Sequence, residues 1–148
     1  MFELIGVRYG SILDLPDLEI REKQVTSLTG PSGSGKTSVL RMLNKMISPT
    51  IGKVLFRGVD LRELNAVNHR RRVVMLSQEP AVFEKTIRDN LHAGLLFQDK
   101  KPPPDQALKK VLEKVGLEKS LDDDALRLSD GERQRLALAR VILLDPDV

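Results

Sequence analysis

Gly30-Pro31-Ser32-Gly33-Ser34-Gly35-Lys36-Thr37 places a glycine, four intervening residues and then Gly-Lys-Thr in a row. That spacing is the phosphate-binding P-loop pattern in full. Glycines let the backbone curl so that successive amide N–H groups point inward at phosphate oxygens, and a helix opening directly behind the loop adds the positive end of its dipole. Lys36 supplies a mobile point charge for the β- and γ-phosphates, and the Thr37 hydroxyl is a ligand for Mg2+ beside them. The nucleotide-contacting candidates are therefore Gly30, Ser32, Gly33, Ser34, Gly35, Lys36, Thr37 and Ser38. From average residue usage, a chance match somewhere in such a chain is roughly 1 in 200.

The flanks support a strand, a loop and a helix in that order. Val25-Thr26-Ser27-Leu28-Thr29 is β-branched and reads as a strand feeding the loop. Behind the loop, Val39, Leu40, Leu43, Met46 and Ile47 recur at helical spacing until Ser48-Pro49. Farther upstream, Phe2 and Leu4, then Val7 and Tyr9, then Leu18 and Ile20 predict short half-buried strands forming an antiparallel edge. Downstream, Lys53–Arg57 and Val73–Ser77 read as two more strands separated by a polar segment. The pattern turns helical from Thr86 and breaks at the polar, proline-rich 98–104 stretch. Ala107, Leu108, Val111, Leu112 and Val115 then mark an amphipathic helix ended by Gly116. A last helix is predicted from Ser129, which with Glu132 forms a Ser-x-x-Glu capping box, to Leu144 before Pro146.

Composition excludes several classes. With 148 residues, 41% apolar and 30% charged, the chain suits one folded domain. It has no cysteine, so disulfide frameworks and thiolate metal sites are ruled out. The net charge of +3 is diffuse except at His69-Arg70-Arg71-Arg72, a run expected to be a solvated basic face. No aromatic residue is interleaved with it to stack on bases, so no nucleic-acid partner is expected. No apolar run approaches the roughly 20 residues that cross a bilayer, and no charged-then-apolar leader opens the sequence. Membrane association is thus expected only through a partner.

Three further motifs narrow the class. Leu128-Ser129-Asp130-Gly131-Glu132-Arg133-Gln134-Arg135 resembles the signature motif of ATP-binding cassette (ABC) ATPases, usually LSGGQ with a basic helical continuation. Gln78, in Leu76-Ser77-Gln78-Glu79-Pro80, resembles that family's Q-loop, and Tyr9 stands where the family places an aromatic ring against adenine. The resemblance implies an α/β P-loop fold with a mixed sheet, N-terminal antiparallel strands and a helical subdomain at about 86–130, within one nucleotide-binding domain over 1–148. It also implies that two such domains sandwich ATP, the P-loop of one facing Ser129, Asp130, Gly131 and Glu132 of the other, in a homodimer or paired cassette. Lys36 and Gln78 would be the catalytic residues, and Thr37 and Gln78 the Mg2+ contacts, Gln78 also meeting the attacking water. Hydrolysis to ADP and phosphate would drive a transmembrane permease partner facing the 79–83 loop, placing the chain in the cytoplasm at the inner face of the membrane.

Departures from the family pattern carry expectations of their own. Asp130 replaces the first glycine of the signature pair, and is expected to point away from nucleotide and support the helix start; Glu132 replaces glutamine. The family's next strand, its catalytic Glu and its switch His have no counterpart before Val148. The chain is therefore expected to be a piece ending ahead of that strand, inactive by itself and prone to pair through the edge of Val25–Thr29. Two alternatives stay open: a soluble ABC-superfamily ATPase acting on DNA or ribosomes, and a nucleotide-binding module without catalysis. The stretch Ser77–Leu91 looks similar to small stand-alone subunits, including iron-export types.

Overall fold

A computed structural model describes residues 1–148, which divide into two compact units, Met1–Met75 and Leu76–Val148.

The first unit is built on β1 (Phe2–Tyr9), which pairs antiparallel with β2 (Leu13–Asp14) near one end and β3 (Leu18–Ile20) near the other. Its opposite edge carries β4 (Ile51–Phe56), followed by β5 (Val59–Asp60). The sequence spacing of Phe2 and Leu4, then Val7, skips a residue, and the reason is a register shift in the β1/β4 ladder between Ile5 and Arg8. Gly6 sits inside it at φ 55°, where a side chain would be strained. The extra residue restores Val7 to the buried face that a strict period of two would have denied it. Phe2, Leu4 and Val7 then pack with Val54 and Phe56 under helix α1 (Lys36–Leu43), which contributes Val39, Met42 and Leu43.

Helix α2 (Ala66–Arg72) fills the segment read as polar, capped by Asn65 Oδ1 accepting from the Val67 and Asn68 amides. His69, expected on a solvated face, is instead buried. Its Nε2 lies 2.7 Å from the Leu43 carbonyl, and its ring meets Phe2 and Phe56 edgewise. A carbonyl only accepts, so Nε2 carries the proton.

Three local expectations are corrected. Helix α1 ends at Leu43 rather than running on to Ile47: the Asn44 side chain turns inward to donate to the Val73 carbonyl, and Lys45 takes φ 56°. Val25–Thr29 and Val73–Ser77 run without strand structure, Val25 being 98% exposed. β-branched composition favours a strand, but a strand exists only through its ladder, and no segment of residues 1–148 pairs with either. All ladders formed are antiparallel.

The second unit is helical: α3 (Ile87–Leu96), α4 (Asp105–Lys114) and α5 (Asp130–Leu144), with a short 3-10 turn at Ala125–Arg127. Ile87 and Leu91 of α3, Leu108 and Leu112 of α4, and Leu136 and Ala139 of α5 meet in its core. Thr86 and Asp89 form a capping box at the start of α3, and 98–104 is irregular, as its prolines require. The predicted 86–130 helical segment lies inside this unit, which also contains α5.

Candidate functional site

The P-loop lies in the first unit. Gly35 is the residue before α1, at φ 86°, and a Cβ there would fall 2.7 Å from Leu13 Cδ1. The positive φ favours glycine here and lets the loop lie close against Leu13, whose register partner across the β1–β2 hairpin is Tyr9, half-buried against the core. Val39 N donates to Gly35 O at 3.0 Å, opening the helical ladder, so the amides of Lys36, Thr37 and Ser38 precede it. No side chain caps this end. The starts of α2, α3 and α5, by contrast, are capped by Asn65, Thr86 and Ser129. The start of α4 also lacks a side-chain cap but carries Asp105 in its first turn, whereas the first turn of α1 has no acidic residue and keeps its amides for an outside anion.

Lys36 folds back over the loop. Its Nζ donates to the carbonyls of Gly30 at 2.9 Å and Pro31 at 2.7 Å, and reaches Ser34 Oγ at 3.5 Å. Those contacts match the donor capacity of an ammonium and keep the charge inside the curl. Ser32, Gly33, Ser34 and Thr37 are exposed, while Ser38 is half-buried. A hard cation needs oxygen ligands, and the exposed Thr37 hydroxyl beside unengaged amides fits a metal carried in by a triphosphate.

The signature residues lie in the second unit. Ser129 heads α5: the Glu132 amide donates to Ser129 Oγ at 3.5 Å, while Glu132 Oε2 accepts from the Ser129 amide and hydroxyl, both at 2.8 Å. Lys119 Nζ adds an ion pair to Glu132 Oε1 at 3.3 Å. The bond from the Ser129 backbone, helped by its hydroxyl and by Lys119, holds the Glu132 carboxyl down at about 2. The helix end that favours anions is therefore met by the chain's own carboxylate. Asp130 and Gly131 are exposed in the same turn. Arg133 spans back to the carbonyls of Leu128 at 2.9 Å and Leu126 at 3.0 Å, setting the approach to Ser129.

Gln78 is exposed, and its carbonyl accepts from Gln134 Nε2 at 3.4 Å. Sequence reasoning missed what holds the residues after it. Asn90, fully buried on α3, accepts from the Phe83 amide at 2.9 Å and donates to the carbonyls of Phe83 at 3.2 Å and Thr86 at 3.0 Å. Arg140 of α5 donates to the Ala81 carbonyl at 2.5 Å. A signal existed for both: each is a polar residue on an apolar stripe, Asn90 between Ile87 and Leu91, and Arg140 between Leu136 and Leu143. Beside this loop, Phe83, His92, Leu96 and Phe97 line a groove of about 270 Å3.

A glycine-turned loop that opens an uncapped helix with Lys and Thr at its first two positions defines a P-loop nucleotide-binding protein. The family described as ABC transporter matches residues 13–148, and the chain belongs to it. It is 34% identical to the phosphate import ATP-binding protein PstB of Prochlorococcus marinus, over 97% of this chain and 59% of that one. It is 41% identical to Protein STAR1 of Oryza sativa subsp. japonica, over 89% of this chain and 38% of that one. A bacterial Atm1-family ABC exporter solved with ATP bound shares the fold at TM-score 0.86 and 24% identity, covering 98% of this chain and 28% of its own. The chain thus spans between 28% and 59% of the length of these three proteins.

Proposed function

We propose that these residues are the ATP-binding part of an ABC transporter subunit that hydrolyses ATP to ADP and phosphate and drives a transmembrane partner. The observation that carries this reading is the P-loop itself: an uncapped α1 with Lys36 poised in the curl, inside a chain of that family. In it, the amides of the Gly30–Gly35 loop and of Lys36, Thr37 and Ser38 receive the phosphates, Lys36 exchanges its loop carbonyls for phosphate oxygens, and Tyr9 offers its ring to adenine. Thr37 would hold Mg2+, which when bound neutralises charge on the transferred phosphoryl group. Gln78 keeps the role of metal and water contact that the resemblance gives it, and Ser129, Asp130, Gly131 and Glu132 that of the surface met by a second cassette's nucleotide.

The PstB relative is named a phosphate import ATP-binding protein, and that name supports a membrane partner. No helix here is long and apolar enough to cross a membrane. The exposed Phe83–Phe97 groove is the surface we assign to the partner. Turnover is assigned to the whole subunit, of which residues 1–148 supply the nucleotide-binding part. Co-purification of the intact gene product with a membrane protein, together with ATPase activity abolished by Lys36→Ala, is the expected result. Salt-sensitive retention on nucleic acid without a membrane partner would support the soluble alternative instead.

A further inference from the structure

Helix α5 carries Ser129 at its head and, along its length, two side chains that reach the loop after Gln78. Gln134 Nε2 donates to the Gln78 carbonyl at 3.4 Å, and Arg140 Nη2 donates to the Ala81 carbonyl at 2.5 Å. The Arg140 guanidinium also lies 5.7 Å from the centroid of the Phe83 ring, close enough for a cation–π contact. Helix α3 holds the same loop from its other end, through Asn90 on the Phe83 backbone, and the Phe83 ring meets Phe97 at 6.2 Å. Gln78, Ala81 and Phe83 are thus fastened in succession to the two helices.

Arg140 stands out among these fasteners. Its charge is met by a carbonyl oxygen and a ring face rather than by a carboxylate, and burial pulls its ionisation downward. Retaining a partly desolvated cation there is costly where an aliphatic residue would extend the stripe of Leu136 and Leu143. What an aliphatic residue lacks is direction: a planar fork can grip a carbonyl while lying flat on a ring.

We propose that Arg140 is a positioning residue that fixes the 78–83 loop to the helix headed by Ser129, so that loop and helix move as one body and Gln78 is placed for turnover. This rests on the reading of Gln78 and Ser129 as parts of an ATPase site.

The test uses the intact gene product, with hydrogen exchange of the 79–85 amides measured beside kcat and KM for Mg-ATP. Arg140→Met keeps length and apolar bulk but removes both grips. It should speed exchange in 79–85 by roughly tenfold, the equivalent of about 1.4 kcal/mol, and lower kcat by a similar factor, with KM within about twofold. Exchange in α4 should not change, which separates positioning from general destabilisation. Arg140→Lys keeps a donor for Ala81 and should recover most of both effects; Phe83→Leu, which removes the ring face under the guanidinium together with the Phe97 contact, should give an intermediate result. Unchanged exchange in 79–85 overturns the fastening, and faster exchange with unchanged kcat overturns the positioning role. Faster exchange spread equally through α4 overturns it too. A wild-type protein without ATPase activity sinks the functional reading instead, while the exchange measurement still decides whether Arg140 holds the loop.

Discussion

Asn90 offers the sharpest test of how the second unit is held together. It is fully buried, and replacing it with alanine removes one acceptor and two donors at once. The losses are unequal. The Phe83 carbonyl still accepts from the Lys85 amide at 2.8 Å, and the Thr86 carbonyl from the Asn90 amide at 3.1 Å, so each keeps a partner. The Phe83 amide loses its acceptor, at about 1–3 kcal/mol for an orphaned donor, and the two weakened acceptors add roughly 0.5 kcal/mol each. Asn90→Ala should therefore destabilise by about 2–4 kcal/mol. Asn90→Asp is the stricter variant, because it preserves an acceptor for Phe83 while turning a carboxylate toward two carbonyl oxygens in a buried site, and should be at least as damaging. Urea unfolding followed by circular dichroism should show the midpoint falling by about 1–2 M with an unchanged slope. If both variants stay within about 0.5 kcal/mol of the parent, the hydrogen-bond account of the 83–90 corner is wrong.

Gly35→Ala should lose about 1–3 kcal/mol, from a side chain forced to positive φ and pressed on Leu13, and should weaken Mg-ATP binding as the loop shifts; unaltered stability and affinity would remove Gly35 from its assigned role. Glu132 has a folded-state ionisation near 2, below the ordinary glutamate range, so its contribution is present above the unfolded value and is lost as pH falls toward 2. Its carboxyl resonance should accordingly titrate near 2, and Glu132→Gln should flatten the acid limb of stability between pH 5 and 2; a midpoint above 4 would contradict the capping-box geometry.

Features encoded over a few neighbouring residues were legible in the sequence, and those fixed by distant partners were not. Ser129 and Glu132 are three residues apart, and the start of α5 lies where they predict it. Gly116 follows α4 at φ 66°, as a terminating glycine should. The P-loop is equally local. The end of α1, by contrast, depends on Asn44 reaching Val73, 29 residues away, and nothing in the apolar period of Val39 to Ile47 carries that information. Val25–Thr29 and Val73–Ser77 have strand-like composition, yet composition does not supply a ladder partner. Within the candidate site, Arg140 grips a carbonyl 59 residues earlier in the chain, so its role had no local trace beyond a charge on an apolar stripe.

The central claim is that Lys36 and the uncapped first turn of α1 clamp a triphosphate. It is tested most directly by calorimetric titration of the intact gene product and its Lys36→Ala variant with Mg-ATP. A charge-assisted contact is worth about 1.5–3 kcal/mol, so the variant should bind roughly 10- to 150-fold more weakly. Equal affinity in the two proteins, or no Mg-ATP binding by the parent, would contradict the account.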